Sequence, residues 1–197
     1  MFTGIVTDLG QVLEIKPGAV TRLKIGTAYD TAGIDIGASI ACNGICLSVV
    51  EKAPGWIAFE VSNETIDKTT LGDWAKGTPI NLERALKLGD ELGGHLVSGH
   101  VDGVGRITDI RQDGASTRID IEAPVNLARS IASKGSITVD GVSLTVNEVD
   151  DSHFGVNIIP ITQTATNLGA ARKDARVNLE IDLIARYVAR LLGKEAS

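Results

Sequence analysis

Gly37–Glu51 reads GASIACNGICLSVVE, and 97 positions later Lys134–Glu148 reads KGSITVDGVSLTVNE. The correspondence extends well beyond this stretch. Ser39 and Ile40 return as Ser136 and Ile137; Gly44, Leu47, Val49 and Glu51 return as Gly141, Leu144, Val146 and Glu148. Thr65, Thr69, Leu71 and Gly72 match Thr162, Thr166, Leu168 and Gly169, and Asn81-Leu82-Glu83 matches Asn178-Leu179-Glu180. Near the start the offset slips by two, which aligns Thr3-Gly4 with Ser98-Gly99 and Val6 with Val101. A repeat this long lies outside the range of solenoid units and denotes a duplicated domain. In 197 residues it leaves two domains of roughly 95 residues, each large enough for a core. Two copies of one fold offer two similar seats for one kind of ligand, so such a chain can bring two like molecules together.

Within each copy, short segments rich in Val, Ile, Leu and Thr are broken by Gly, Asp, Asn or Pro about every ten residues, which is the pattern of an all-β barrel or sandwich. Strands are expected near residues 4–15, 20–26, 39–51, 56–61 and 79–82, and at shifted positions in the second copy. Glu64–Leu71 and Ile161–Leu168 read as a helical turn or bent connection. Pro124–Ser133 opens with Pro and carries Val125, Leu127, Ala128 and Ile131, which suits a short helix capping the second barrel, with Tyr29–Ile34 as its vaguer counterpart. Ala85–Gly94 has no repeat partner and reads as the junction. The expected division is therefore a first barrel over 1–86, a linker over 87–94, a second barrel over 95–182 and a tail over 183–197. In that tail Leu183, Ile184, Tyr187, Val188, Leu191 and Leu192 recur at helical spacing, with Arg186 and Arg190 on the remaining surface. An apolar stripe without a repeat partner must be covered, and self-association is favoured over packing on its own barrel. Disorder is expected only over Lys194–Ser197.

A net charge of -6 without a basic cluster gives no field to hold a polyanion, so nucleic acid is excluded as a partner. No apolar run approaches a membrane span, and the N-terminus lacks the pattern of a signal peptide, so a cytoplasmic chain is expected. Cys42 and Cys46 fall in one apparent strand, too far apart along it to bridge, and read as free thiols.

Differences between the copies mark where a symmetric scaffold can become asymmetric. Ile5 corresponds to His100, Cys46 to Ser143, Ser48 to Thr145, Asn43 to Asp140 and Ala85 to Asp182. Alternation places Ser143 and Thr145 on one face of a strand, about 7 Å apart. Small hydroxyl residues are common on strands, and Cys46 by composition alone is more often a buried hydrophobe than a nucleophile. No Lys, Arg or His neighbours Cys46 in sequence to activate it. His95 and His153 add nothing at this level, because no His/Cys/Asp spacing forms a metal site. The Gly93–His100 stretch lacks the Lys-Ser/Thr ending of a phosphate loop.

Met1-Phe2-Thr3-Gly4-Ile5-Val6, GASIACNGICLSVVE, ELGGHLVSGHVDG, KGSITVDGVSLTVNE and the closing ARVNLEID, in that order, resemble the riboflavin synthase family of α-chain type from end to end. The resemblance implies two six-stranded Greek-key barrels and a C-terminal helix, assembled as a homotrimer. It implies dismutation of two 6,7-dimethyl-8-ribityllumazine molecules, one giving a four-carbon unit to the other, to yield riboflavin and 5-amino-6-ribitylaminouracil, with no cofactor or metal. Each barrel would bind one lumazine, with the active site where the first barrel of one subunit meets the second barrel of a neighbour. One seat would use Gly4, Ile5 and Val6, then Cys46, Leu47 and Ser48, and Glu60, Val61, Ser62, Asn63, Glu64 and Thr65. The other would use Gly99, His100 and Val101, then Lys134, Ser143, Leu144 and Thr145, and Asn157, Ile158, Ile159, Pro160, Ile161 and Thr162. Ser39, Ala41 and Asp182 would lie near the reacting centre. The reaction needs a base for a C7 methyl proton, for which a relay of His100 with Thr145 is the candidate, and a nucleophile at C7, for which Ser143, Ser48 and Cys46 or water are candidates. The rival resemblance is to lumazine-binding antenna proteins, which share the fold without turnover. Ser48 stands where many members carry Thr, and Ile161 where a polar residue is common.

Overall fold

The computed structural model describes residues 1–193; Lys194–Ser197, the stretch expected to be disordered, lie outside the described residues. Each copy closes into a six-stranded antiparallel barrel. The first is built from β1 (Asp8–Lys16), β2 (Thr21–Gly26), β3 (Ser39–Cys42), β4 (Ile45–Ala53), β5 (Trp56–Val61) and β6 (Pro79–Arg84). The second uses β7 (Gly103–Asp113), β8 (Ser116–Glu122), β9 (Ser136–Val139), β10 (Val142–Asp150), β11 (His153–Ile158) and β12 (Arg176–Ile181). The circular order β1-β2-β5-β4-β3-β6 is repeated as β7-β8-β11-β10-β9-β12. Strands β3 to β5 follow one another as hairpins while β2 returns beside β5, a Greek-key connection. Closure pairs every edge.

Period-two alternation fills each interior. In β4, Ile45, Leu47 and Val49 are buried while Cys46 and Ser48 face outward; in β10, Val142, Leu144 and Val146 are buried while Ser143 and Thr145 face outward. The single strand expected over 39–51 is instead a hairpin, and so is its copy. Asn43-Gly44, with φ of 45° and 79°, and Asp140-Gly141, with φ of 46° and 79°, make two-residue turns in which both positions need positive φ. As a result Cys46 lies across from Ala41 and Ser48 across from Ser39. Cys42 and Cys46 are free, Cys42 buried and Cys46 half-buried, and burial pushes the Cys42 thiol well above its usual range.

Helical pieces sit where the strands turn. They are α1 (Asn63–Lys68), capped by the Ser62 hydroxyl, α2 (Val125–Ala128), α3 (Pro160–Ala165) and α4 (Leu183–Leu191), with 3-10 turns at Thr31–Gly33, Thr70–Asp73 and Asn167–Ala170. Arg186 of α4 does not share the outer surface with Arg190 as expected: it pairs with Asp102 at 2.7 Å and ties the helix to its own barrel. The apolar stripe is left uncovered, with Ile184, Tyr187, Val188, Leu191 and Leu192 all exposed. Among the described residues no helix is long and apolar enough to cross a membrane.

The barrels meet around a pseudo-twofold axis. At one end Gly44 and Gly141 touch; a Cβ on Gly44 would lie 2.8 Å from the Gly141 nitrogen. Beside them Asn81 donates to the Asp140 carbonyl at 2.8 Å, and Asn178 donates to the Asn43 carbonyl at 2.9 Å. Asn167 and Thr70, equivalent positions, each donate a backbone N–H to the Asn81 and Asn178 side-chain oxygens. At the other end Phe2 and Val97 exchange both backbone hydrogen bonds, at 2.8 and 3.0 Å. Phe2, fully buried, packs there with Val97 and Ala41.

Candidate active site

The residues ahead of each barrel cross over to the other one. The Gly4 carbonyl accepts from Ser143 N–H, and the Gly99 carbonyl accepts from Cys46 N–H, each at 2.8 Å. Val6 packs on the core of the second barrel and Val101 on the core of the first. The approach is as close as backbones allow: with φ of 76° and 79°, Gly4 and Gly99 would each carry a Cβ 2.6 Å from the Cβ of Ser143 and Cys46. The grouping expected from the resemblance put Gly4–Val6 with Cys46 and Gly99–Val101 with Ser143. The structure exchanges them: each leading segment is held by its own barrel at its start and again where Thr7 N–H and Asp102 N–H donate to the Leu82 and Leu179 carbonyls, and between those points it leans on the other barrel. Glu83 on β6 accepts from Thr3 N–H, the Thr3 hydroxyl and Gly4 N–H at 2.6 to 2.9 Å. Glu180 on β12 does the same for Ser98 N–H, the Ser98 hydroxyl and Gly99 N–H at 2.7 to 2.9 Å. Burial raises the pKa of both carboxylates, against the lowering effect of these donors.

On the first barrel the outward surface then comprises Ser39, Cys46 and Ser48, with Ala41 buried under Phe2 and His100 exposed beside Gly99. Val49 pairs with Phe59, so the start of β4 lies beside the stretch leaving β5, Glu60–Thr65. In it Glu60, Ser62, Asn63 and Glu64 are exposed, Thr65 half-buried and Val61 in the core. On the second barrel Val146 pairs with Val156, bringing Asn157–Thr162 beside Ser143–Thr145. Ile159, Pro160 and Ile161 are exposed, as is Lys134, while Asn157 and Thr162 are half-buried and Ile158 joins the core. Leu47 and Leu144 also point inward, so they present only backbone to this surface. Ile5, exposed, belongs to the second seat and His100 to the first. No hydrogen bond joins His100 to Thr145 among the described residues: they sit on different barrels.

His95 is the residue that sequence reading passed over. Its Nδ1 lies 2.7 Å from the Ser143 hydroxyl and its Nε2 lies 3.2 Å from the Thr138 hydroxyl. Burial lowers its pKa, against the charge of Asp182, which also caps α4 through Ile184 N–H at 2.8 Å. Comparison of the copies had no means of finding His95, because the offset at that point places its counterpart before Met1. The repeated Glu83/Glu180 was visible as a carboxylate inside an apolar strand in both copies. Among the described residues no His/Cys/Asp/Glu cluster is arranged to hold a metal ion.

Two barrels of one design, each with an open outward seat completed by a segment from the other, define a tandem small-ligand-binding protein. A family model described as "Lumazine binding domain" matches residues 3–85 and again 98–182, and the chain belongs to that family. Among full-length relatives it is 48% identical to a riboflavin synthase of Brucella abortus (strain 2308), covering 97% of this chain and 98% of that protein. It is 37% identical to a riboflavin synthase of Bacillus subtilis (strain 168), over 98% of this chain and 91% of that one. Among solved structures, LumP complexed with riboflavin superposes with a TM-score of 0.85 at 28% identity, covering 92% of this chain and 99% of that one. LumP complexed with 6,7-dimethyl-8-(1'-D-ribityl) lumazine superposes with a TM-score of 0.81 at 27% identity, covering 91% and 98%.

Proposed function

We propose that this chain is a riboflavin synthase that dismutates two molecules of 6,7-dimethyl-8-ribityllumazine into riboflavin and 5-amino-6-ribitylaminouracil without a cofactor. The observation that carries this is the pair of like seats, one per barrel, in a chain whose full-length relatives are riboflavin synthases. Two like seats suit two identical substrates, and holding two reactants in register is worth about 7 to 11 kcal/mol of the barrier. Peptide groups bared at the strand ends suit the uracil-like edge of the ring. Hydroxyls and carboxylates of Ser62, Glu60, Thr65 and Thr162 suit the ribityl chain.

The working site forms between subunits of a homotrimer, the first barrel of one facing the second barrel of the next. Two observations support this reading: the seats are open surfaces with Ser48, His100, Lys134 and Thr145 exposed, and α4 offers an uncovered apolar face. In that assembly His100 and Thr145, apart within one chain, meet across the interface as the relay that takes the C7 methyl proton. The likeness to LumP favours binding of a lumazine or flavin as the second reading. Incubating the protein with the lumazine alone separates the two. Riboflavin appearing at one molecule per two lumazines supports the enzyme; a stable complex without turnover refutes it.

A further inference from the structure

The duplicated seats differ most around Ser143. In the first barrel the equivalent of Ser143 is Cys46, the residue across the hairpin is Ala41 where the second barrel has Thr138, and the equivalent of Asp182 is Ala85. His95 lies ahead of the stretch where the two copies align, which starts at Thr3 and Ser98. In the second barrel Ser143, His95 and Thr138 form a hydrogen-bonded relay, with the charge of Asp182 acting on the ring; Cys46 and Ala41 offer the first barrel no hydroxyls from which to build one. The relay is rigidly held: His95 N–H donates to the Thr3 carbonyl at 3.1 Å, Thr138 is buried, and Ser143 N–H is fixed by Gly4.

We infer that His95 is the positioning residue that accepts the Ser143 proton, making Ser143 the nucleophile toward C7 of the lumazine seated on the second barrel. The inference rests on the riboflavin synthase reading above. With hydrogen on Nε2 directed at Thr138, Nδ1 carries a free lone pair 2.7 Å from the Ser143 hydroxyl, the arrangement a general base requires. As the Oγ–C7 bond forms, the Oγ–H bond breaks and its proton passes to Nδ1, while the C6=C7 π electrons shift through N5 and C4a onto the C4 carbonyl oxygen. When the Oγ–C7 bond later breaks, the same proton returns to the serine oxygen, so no oxidant or reductant is consumed. The groups bonded to the imidazole are the neutral Ser143 and Thr138 hydroxyls, and Asp182 is the charge acting on it. The first barrel, lacking the relay, holds the molecule that gives up its methyl proton. Identical substrates thus take unlike roles because the seats have diverged at this hydroxyl.

The test is the pH profile of kcat. In the wild type, turnover falls on the acid side as His95 takes up a proton and can no longer accept one from Ser143. His95→Asn keeps an acceptor near the Nδ1 position but does not titrate. It is expected to lower kcat tenfold or more, with KM changed less than about twofold, and, when made in a His100→Asn background that leaves His95 as the one histidine base at the site, to remove the acid limb. Adding Ser143→Ala is expected to lower kcat no further, since the two side chains act as one unit. An acid limb that persists when His95 and His100 are both Asn, or losses that multiply when Ser143→Ala is added to His95→Asn, overturns the inference. Should His95→Asn fail to fold, NMR titration of the three histidines of the unaltered protein decides. The His95 ring must be protonated at Nε2 and must titrate at the midpoint of the acid limb; either mismatch overturns it. A wild type that makes no riboflavin refutes the parent function instead, so the two failures are distinguishable.

Discussion

Replacing Asp140 by Asn should stabilise the protein above neutral pH and lose that advantage in acid. Asp140 is buried at the seam between barrels, and desolvation pushes its carboxyl up from 3.8 to about 6, against hydrogen bonds from Asn178 N–H and the Asn167 amide. A folded pKa raised by about two units means that the ionised form costs about 3 kcal/mol more in the folded state than in the unfolded chain. The first barrel shows what the neutral residue does there: Asn43 accepts from Asn81 N–H at 2.6 Å, just as Asp140 accepts from Asn178 N–H at 2.8 Å. Asn tolerates the positive φ of 46° at least as well as Asp. What the substitution loses is the Asn167 amide bond, now facing another N–H, worth about 1 kcal/mol. The net at pH 8 is a gain of about 1 to 2 kcal/mol.

The sign fixes the pH dependence. Because the folded pKa is raised, the wild type carries the full penalty above about 6 and sheds it as pH falls toward 3.8, where both states are protonated. Glu83 and Glu180, also raised, move both proteins together, so the diagnostic quantity is the difference between them. Urea unfolding of the two proteins at pH 8, 6 and 4.5 should show the variant's advantage shrinking with pH and reversing at the acid end. A difference that stays constant across that range, within about 0.5 kcal/mol, refutes a buried, ionised Asp140 at the seam.

Gly99→Ala would force a Cβ to 2.6 Å from that of Cys46 at a φ of 79°, and should cost about 2 to 4 kcal/mol and most of the turnover. Thermal unfolding and riboflavin formation report it; a variant equal to wild type in both would mean the leading segment does not pack on the first barrel. Phe2→Ala empties a fully buried position between the barrels and should cost about 3 kcal/mol, with turnover falling because Gly4 loses its seat on Ser143. Equal stability by calorimetry would dismiss that role. Ile184→Glu combined with Leu191→Glu places charges on the exposed apolar face of α4, and sedimentation should show the proposed trimer replaced by monomer with turnover lost. A trimer that survives both charges would move the subunit contact elsewhere.

The fold was legible because its signals are local and repeated. Inward Ile45, Leu47 and Val49 recur as Val142, Leu144 and Val146, and the strand content follows from that alternation. The hairpins at Asn43-Gly44 and Asp140-Gly141 also had a local signal, the residue pair that favours positive φ, but unbroken apolar residues on both sides masked it. The crossing of the leading segments had no local signal. Whether Gly4 pairs with Cys46 or with Ser143 depends on how two finished barrels dock, and the repeat is equally consistent with both. His95 was hidden for a related reason: its importance lies in Ser143 and Thr138, 48 and 43 positions away, and no residue of the first copy stands opposite it.

The crossing also bears on how a symmetric duplicate can support an asymmetric reaction. If each leading segment packed on its own barrel, a change near Ser143 would alter one seat and leave the other alone. As built, the Glu83 clamp holds Thr3 and Gly4 of the segment that lines the second seat, and the Glu180 clamp holds the segment that lines the first. Each seat is thus positioned by a buried carboxylate on the opposite barrel, and Phe2 and Val97 join the two segments back to back. Neither seat forms fully until both barrels are folded and docked, so the shape of each seat is set by the seam rather than by either barrel, and the proposed subunit contact then brings two such seats face to face. On the inferred mechanism, Ser143, Thr138 and His95 give the second seat its separate role without disturbing the shape the seam imposes on both.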